Sequence, residues 1–296
     1  AASTVTGEVG IYEYGIEGNT QRALLQHHQM STRALTYSHD GDTLFMGSKD
    51  CNISAYDLAG ARVSGTMSNA HDAPISCLRI IDENCLVSAD DDGMAKIWDL
   101  RQARCTHELN EHEDFISDIQ LGKDGKSLIC SGGDGYVSIW NRKNGKLLAM
   151  SDQMDDEFLS VQLMKRGRKA VLGTQSGILA IFSWGNWGDM TDRFIGHPQS
   201  VESMCKVDED SLITCSEDGI IRVISIQPNK LLGIIGEHDG YPVEHIDVSH
   251  DRAYLASCSH DNTVKFWNIS YLYEDDDDDV EGEEEEEEEV QEEEEG

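Results

Sequence analysis

An all-β fold of seven similar sheets, a seven-bladed β-propeller, is what this 296-residue sequence predicts, on three observations. The first is a stride. Strand-ending residues recur at Tyr12, Tyr56, Trp98, Trp140, Phe182, Ile224 and Trp267, separated by 44, 42, 42, 42, 42 and 43 residues, which is the period of a propeller blade. The second is a turn residue six positions before each of the last six: Asp50, Asp92, Asp134, Ser176, Asp218 and Asp261. The third is a histidine 21 to 23 residues before the turn aspartate in five units, pairing His28 with Asp50, His71 with Asp92, His112 with Asp134, His197 with Asp218 and His238 with Asp261.

Each unit reads as four short strands with turn signals between them. Leu86 to Ala89, the Asp91-Asp92-Gly93 turn, and Met94 to Asp99 show two strands and their connection in one unit. In the last unit Val264 and Phe266 point to one side of the strand and Trp267 to the other, because side chains alternate. Both faces of a blade are therefore expected to be buried against neighbouring blades.

These units resemble WD repeats, in which the His and Asp join a strand Ser or Thr and the Trp in a buried hydrogen-bonded tetrad. The last unit has all four, as His238, Ser259, Asp261 and Trp267. Asp90 and Gly132 stand in for the hydroxyl in two other units, and Tyr56, Phe182 and Ile224 for the Trp. The histidines are expected to be structural.

The two ends differ from the middle. Ala1-Ala2-Ser3, the Thr4 to Gly7 turn, and Glu8 to Tyr14 read as the end of a second strand followed by a third. The last unit stops near Tyr271 without a fourth strand. The first and last blades are thus expected to be incomplete, with an unsealed seam, and the chain reads as a fragment. Residues 1–273 form the WD40 propeller; residues 274–296 carry 18 acidic and no basic residues and are expected to be a disordered tail, since such a block buries nothing and repels itself.

Charge bounds the partners. The net charge is −34, and the propeller alone keeps 23 basic against 39 acidic residues. That balance disfavours direct nucleic-acid binding. The tail is expected either to solubilise the chain or to attract basic partners such as histone-like or ribosomal proteins. Eight cysteines, without a CxxC pair or metal-ligand spacing, mostly fall inside predicted strands, which suggests a reducing compartment. No run of 18 apolar residues and no secretory signal is visible, so no membrane role is expected.

No catalytic constellation emerges, and neither a cofactor nor a metal is expected. There is no Gly-rich phosphate loop, no G-x-S-x-G elbow and no H-E-x-x-H. Asp90, Asp91 and Asp92 are adjacent acids, but two of them occupy tetrad and turn positions. An enzymatic role is not expected.

Three non-repeat features remain. Lys165, Arg166, Arg168 and Lys169 surround Gly167 in a tight turn between the first two strands of the fifth unit; it reads as a phosphate contact, an import signal or, more simply, a solvated hairpin tip. Phe182 to Gly188 carries Trp184 and Trp187 in a glycine-broken loop. They read as interface anchors, or as a cover for that blade's edge. Trp98-Asp99-Leu100-Arg101 resembles the WDxR box of the WD-repeat substrate receptors of cullin-4 ubiquitin ligases. There the box docks the propeller on the damaged-DNA-binding adaptor, so Trp98, Asp99 and Arg101 are candidate docking residues, with an arginine fork at a strand end.

Several stretches resemble the WD repeat-containing protein 55 family: Ser68 to Ile75, Asn110 to Ser117, Leu163 to Lys169, Phe182 to Gly185, Ser249 to Asp251 and Ser259 to Asn268. The similarity spans residues 1–273 in order, and the Trp184-Gly185 wording with the WDxR box leans toward the plant-type members. The resemblance implies a nuclear, largely nucleolar, non-enzymatic scaffold for ribosomal RNA production and ribosome assembly, with ribosome-assembly factors as partners. For plant-type members it also implies a cullin-4 substrate receptor as the alternative.

Overall fold

The computed structural model describes residues 1–14 and 18–273. The acidic segment 274–296 lies outside the described residues. Among these residues the chain is all β, with one 3-10 turn at Ser270–Leu272. It forms seven antiparallel sheets, the blades of a β-propeller fold, as the stride predicts.

Blade one has β1 (Ala2–Ser3), β2 (Val9–Glu13) and β3 (Thr20–Leu25). Blade two has β4 (Thr32–Tyr37), β5 (Thr43–Ser48), β6 (Ile53–Asp57) and β7 (Arg62–Met67). Blade three has β8 (Ile75–Asp82), β9 (Cys85–Asp90), β10 (Met94–Asp99) and β11 (Arg104–Asn110). Blade four has β12 (Ile116–Leu121), β13 (Ser127–Gly132), β14 (Val137–Asn141) and β15 (Lys146–Met150). Blade five has β16 (Phe158–Met164), β17 (Lys169–Thr174), β18 (Ile178–Ser183) and β19 (Asp192–Ile195). Blade six has β20 (Val201–Lys206), β21 (Ser211–Ser216), β22 (Ile220–Ser225) and β23 (Lys230–Glu237), and blade seven β24 (Val243–Val248), β25 (Tyr254–Ser259) and β26 (Val264–Asn268). Strands pair in chain order within each sheet, and blades one and seven hold three strands each.

The chain divides into two compact units. Among the described residues the first comprises Ala1–Gln175 with Ala180–Asp192, the second Ser176–Leu179 with the chain from Arg193 onward. Inside the first unit the core lies between successive blades. Phe45 and Ile53 of blade two pack with Ile75, Leu86 and Trp98 of blade three. Val87, Ala95 and Ile97 of blade three pack with Ile116, Leu128 and Trp140 of blade four, and Ile129 and Ile139 of blade four with Phe158, Leu172 and Phe182 of blade five. In the second unit Ile213, Ile221 and Val223 of blade six pack with Val243, Ile246 and Leu255 of blade seven. The faces of the second and third strands in blades two to six are too apolar to be left in water, and at about 25 cal/mol per Å² the neighbouring blade's face supplies the burial.

Two irregularities recur among the blades. The first strand bulges at its second residue, with register shifts at Thr32/Ala34, Ile75/Cys77, Ile116/Asp118, Phe158/Ser160, Val201/Ser203 and Val243/His245. A second bulge precedes the strand-ending aromatic, as at Ile97/Trp98 and Ala55/Tyr56. The extra residue on the outer strand is secured by its own hydroxyl: Thr106 donates to the Ile97 carbonyl at 3.0 Å and Ser64 to the Ala55 carbonyl at 3.1 Å. Bulges of this kind bend a strand and re-aim its side chains.

The expectation that both blade faces are covered holds only in part for the last blade. Val264 and Phe266 are 44% and 38% exposed on β26.

Candidate functional site: blade networks and strand ends

In blade three, His71 and Asp90 are almost wholly buried. The ring Nδ1 donates to the Asp90 carboxylate at 2.6 Å, which leaves Nε2 as an acceptor for the Ser88 hydroxyl at 2.5 Å. Ser88 Oγ in turn accepts the Trp98 Nε1 hydrogen at 2.8 Å. Four buried side chains thus satisfy one another. Blade four repeats the arrangement with His112, Asp134, Ser138 and Trp140, and blade seven with His238, Asp261, Ser257 and Trp267.

Two of the predicted assignments are corrected by two residues each. In blade seven the tetrad hydroxyl is Ser257, 2.7 Å from His238 Nε2, and not Ser259. Ser259 ends β25, donates to the Tyr241 carbonyl at 3.4 Å and accepts the Asp261 amide at 3.3 Å, so it serves the turn. In blade three the carboxylate is Asp90 and not Asp92; its other oxygen accepts the amides of Asp92 and Met94. The usable signal was a Ser or Thr four residues before the turn residue, present as Ser88, Thr214 and Ser257. Blade four departs from it because Cys130 fills that position, and Ser138, its cross-strand partner on β14, supplies the hydroxyl instead.

Two networks are incomplete. In blade two, His28 donates to Asp50 at 3.0 Å, but Met46 and Tyr56 replace the hydroxyl and the Trp, and His28 Nε2 is buried without a partner. A cavity of about 300 Å³ lined by His27, His28, Asp50, Asn52 and Thr66 lies beside it. In blade six, His197 pairs with Thr214 at 2.8 Å but not with Asp218, which Arg222 holds at 2.5 and 3.0 Å. His197 Nδ1 is left buried without a partner.

Burial, and then the Arg222 charge, push the His197 pKa from 6.5 down to about 4. The folded chain therefore refuses a proton that the unfolded chain takes up below pH 6.5. The stability linked to this group is complete above pH 6.5 and is lost as the pH falls toward about 4. His197→Gln is expected to flatten the fall in unfolding midpoint across that window. Identical pH slopes for parent and variant would contradict the linkage.

The predicted docking residues separate. Trp98 is 7% exposed and belongs to the tetrad, so it offers no contact surface. Asp99 and Arg101 form a closed fork at 3.0 and 2.7 Å, which holds the Asp99 carboxyl below the usual carboxylate range. Of the three side chains only Arg101 is largely in solvent, at 65% exposure.

The interface-anchor reading of the tryptophan loop fails for Trp187, whereas Trp184 stays partly exposed. Trp187 is buried, stacked on Phe182 at 6.4 Å, and Trp184, half-buried, meets Trp187 edge-on at 5.3 Å. They cover the edge of blade five. The three adjacent aspartates diverge likewise: Asp90 takes His71, Asp91 takes Arg33 at 2.6 and 2.7 Å, and Asp92 is exposed. Among the described residues no cluster has metal-holding geometry, and no helix is long and apolar enough to cross a membrane.

A family model, WDR55, matches residues 1–272, the whole span of the blades. The chain belongs to the WDR55 family. It is similar to WD repeat-containing protein 55 of Danio rerio, 43% identical over 277 residues, covering 93% of this chain and 72% of that one. It is 38% identical to the Arabidopsis thaliana protein of the same name over 93% of this chain and 78% of that one. To the Homo sapiens protein it is 36% identical over 92% and 72%. The WDR55 frame is thus a WD40 scaffold, a fold of surfaces suited to protein contacts. Its recurring His, Asp, Ser and Trp residues hold blades together.

Proposed function

We propose that this WDR55-family chain is a non-enzymatic scaffold of the nucleus and nucleolus, holding together factors needed for ribosomal RNA production and ribosome assembly. One observation carries the scaffold reading: in blades three, four and seven the His, Asp, Ser and Trp that recur with the blade period are consumed in internal bonds, as in the His71, Asp90, Ser88 and Trp98 set. Work on other molecules then falls to the loops and strand ends. The acidic residues 274–296 suit basic partners such as ribosomal proteins. Proximity labelling with the full-length protein in cells tests the reading. Enrichment of pre-ribosomal proteins supports it, and a nucleus-free, ribosome-free neighbourhood rejects it.

The second reading, a cullin-4 substrate receptor, is favoured by one exposed side chain, Arg101 at the end of β10. Arg101→Glu is expected to reduce co-precipitation of the damaged-DNA-binding adaptor at least tenfold with no change in thermal midpoint, since the residue is exposed. Equal recovery with parent and variant rejects docking through this residue.

A further inference from the structure

Two motifs that stand apart in the sequence, the basic turn and the tryptophan loop, meet at one end of blades four and five. The turn joining β16 to β17 places Lys165, Arg166 and Gly167 at φ of 54°, 58° and 73°, three successive left-handed residues in a tight reversal. The equivalent turn of blade four lies against it. A Cβ added to Gly167 would stand 2.7 Å from Lys123 Cβ, so the lysine stem crosses directly over the glycine.

The indole joins the same surface. The Trp184 amide donates to the Arg168 carbonyl at 2.9 Å. Its ring edge lies on Gly122, where an added Cβ would be 2.5 Å from Cη2. Lys123, Lys126, Arg166 and Arg168 are exposed and Trp184 partly so. Asp124, the carboxylate between the lysines, is taken up by the Ser127 hydroxyl and by the amides of Lys126 and Ser127. On a chain of net charge −34 this is a local reversal of sign, built on strand ends and placed beside an aromatic face.

The geometry points to a binding site for single-stranded nucleic acid, with phosphates on Lys123, Lys126, Arg166 and Arg168 and a base against Trp184. An acidic peptide would need the cations alone. The indole among them suits a π-faced base, which is how basic grooves with aromatic platforms hold single strands. The overall acidity that disfavours binding acts at long range and is screened beyond about 10 Å at 0.1 M salt, so the local cations decide at contact.

Fluorescence anisotropy of the full 296-residue chain with labelled single-stranded RNA and DNA of about ten nucleotides tests this. Saturable binding is expected. Engaging about three phosphates gives a slope of about −2 in log affinity against log salt, a roughly 20-fold loss between about 50 and 200 mM. Tighter binding of the RNA identifies the 2′-hydroxyl as part of the recognised group, and equal binding identifies the shared backbone and base. Lys123→Glu with Arg166→Glu and Arg168→Glu lowers affinity at least tenfold, while Lys123→Arg retains it. Arg166→Gln alone, an exposed change, lowers it severalfold and reduces the slope by about 0.7. No saturable binding, unchanged affinity in the charge-reversed or Arg166→Gln chains, or tighter binding of a polyglutamate peptide at the same salt overturns the proposal.

Discussion

Asp90→Ala is expected to destabilise the chain by about 3 to 5 kcal/mol, whereas Asp92→Ala two residues later costs less than about 1 kcal/mol. Asp90 is 2% exposed and meets three donors: His71 Nδ1 and the amides of Asp92 and Met94. Its loss strands a buried imidazole hydrogen, worth about 1 to 3 kcal/mol by itself. His71 also receives Ser88, which receives Trp98, so the damage propagates to the indole. Urea titration of the two variants beside the parent gives the difference directly. Equal losses at both positions would return the tetrad role to the turn residue.

That contrast also marks how far the sequence could be read. The stride was legible because four short strands and their turns consume a fixed length of chain, and the strand-ending aromatics keep that count. Which member of a pair two residues apart does the work was not legible. Side chains at i and i+2 leave a strand on the same side, so alternation ranks Ser257 with Ser259 as equals, and Asp90, which ends β9, differs from the turn residue Asp92 in position but not in chemistry. Depth separates them: Ser257 is buried in the middle of β25, while Ser259 ends the strand and serves a turn. The WDxR spelling at Trp98 to Arg101 divides on the same measure of depth. The motif records adjacency in sequence, but Trp98 faces the interior and Arg101 the solvent.

The loop after β18 carries no blade period, and it shows what decides there. Gly185, at φ 83°, reverses the chain, and the Asn186 amide donates to the Ser183 carbonyl at 2.9 Å. The Gly188 carbonyl then accepts the Asp152 amide at 2.6 Å, and the Thr191 amide returns to the Ile181 carbonyl at 2.8 Å. These bonds fold Trp187 back beneath the loop, against Phe182 and within the cluster that includes Phe158 and Leu172. Trp187→Ala is therefore expected to cost about 3 to 5 kcal/mol, as removal of a buried large aromatic does. The loss should appear as a lower urea midpoint and as faster hydrogen exchange in β18 and in residues 184–191, with Trp184→Ala, half-buried, costing less. A near-neutral Trp187→Ala that lost a protein partner would reverse this assignment, because an anchor held in solvent stabilises a complex and not the sheet beneath it.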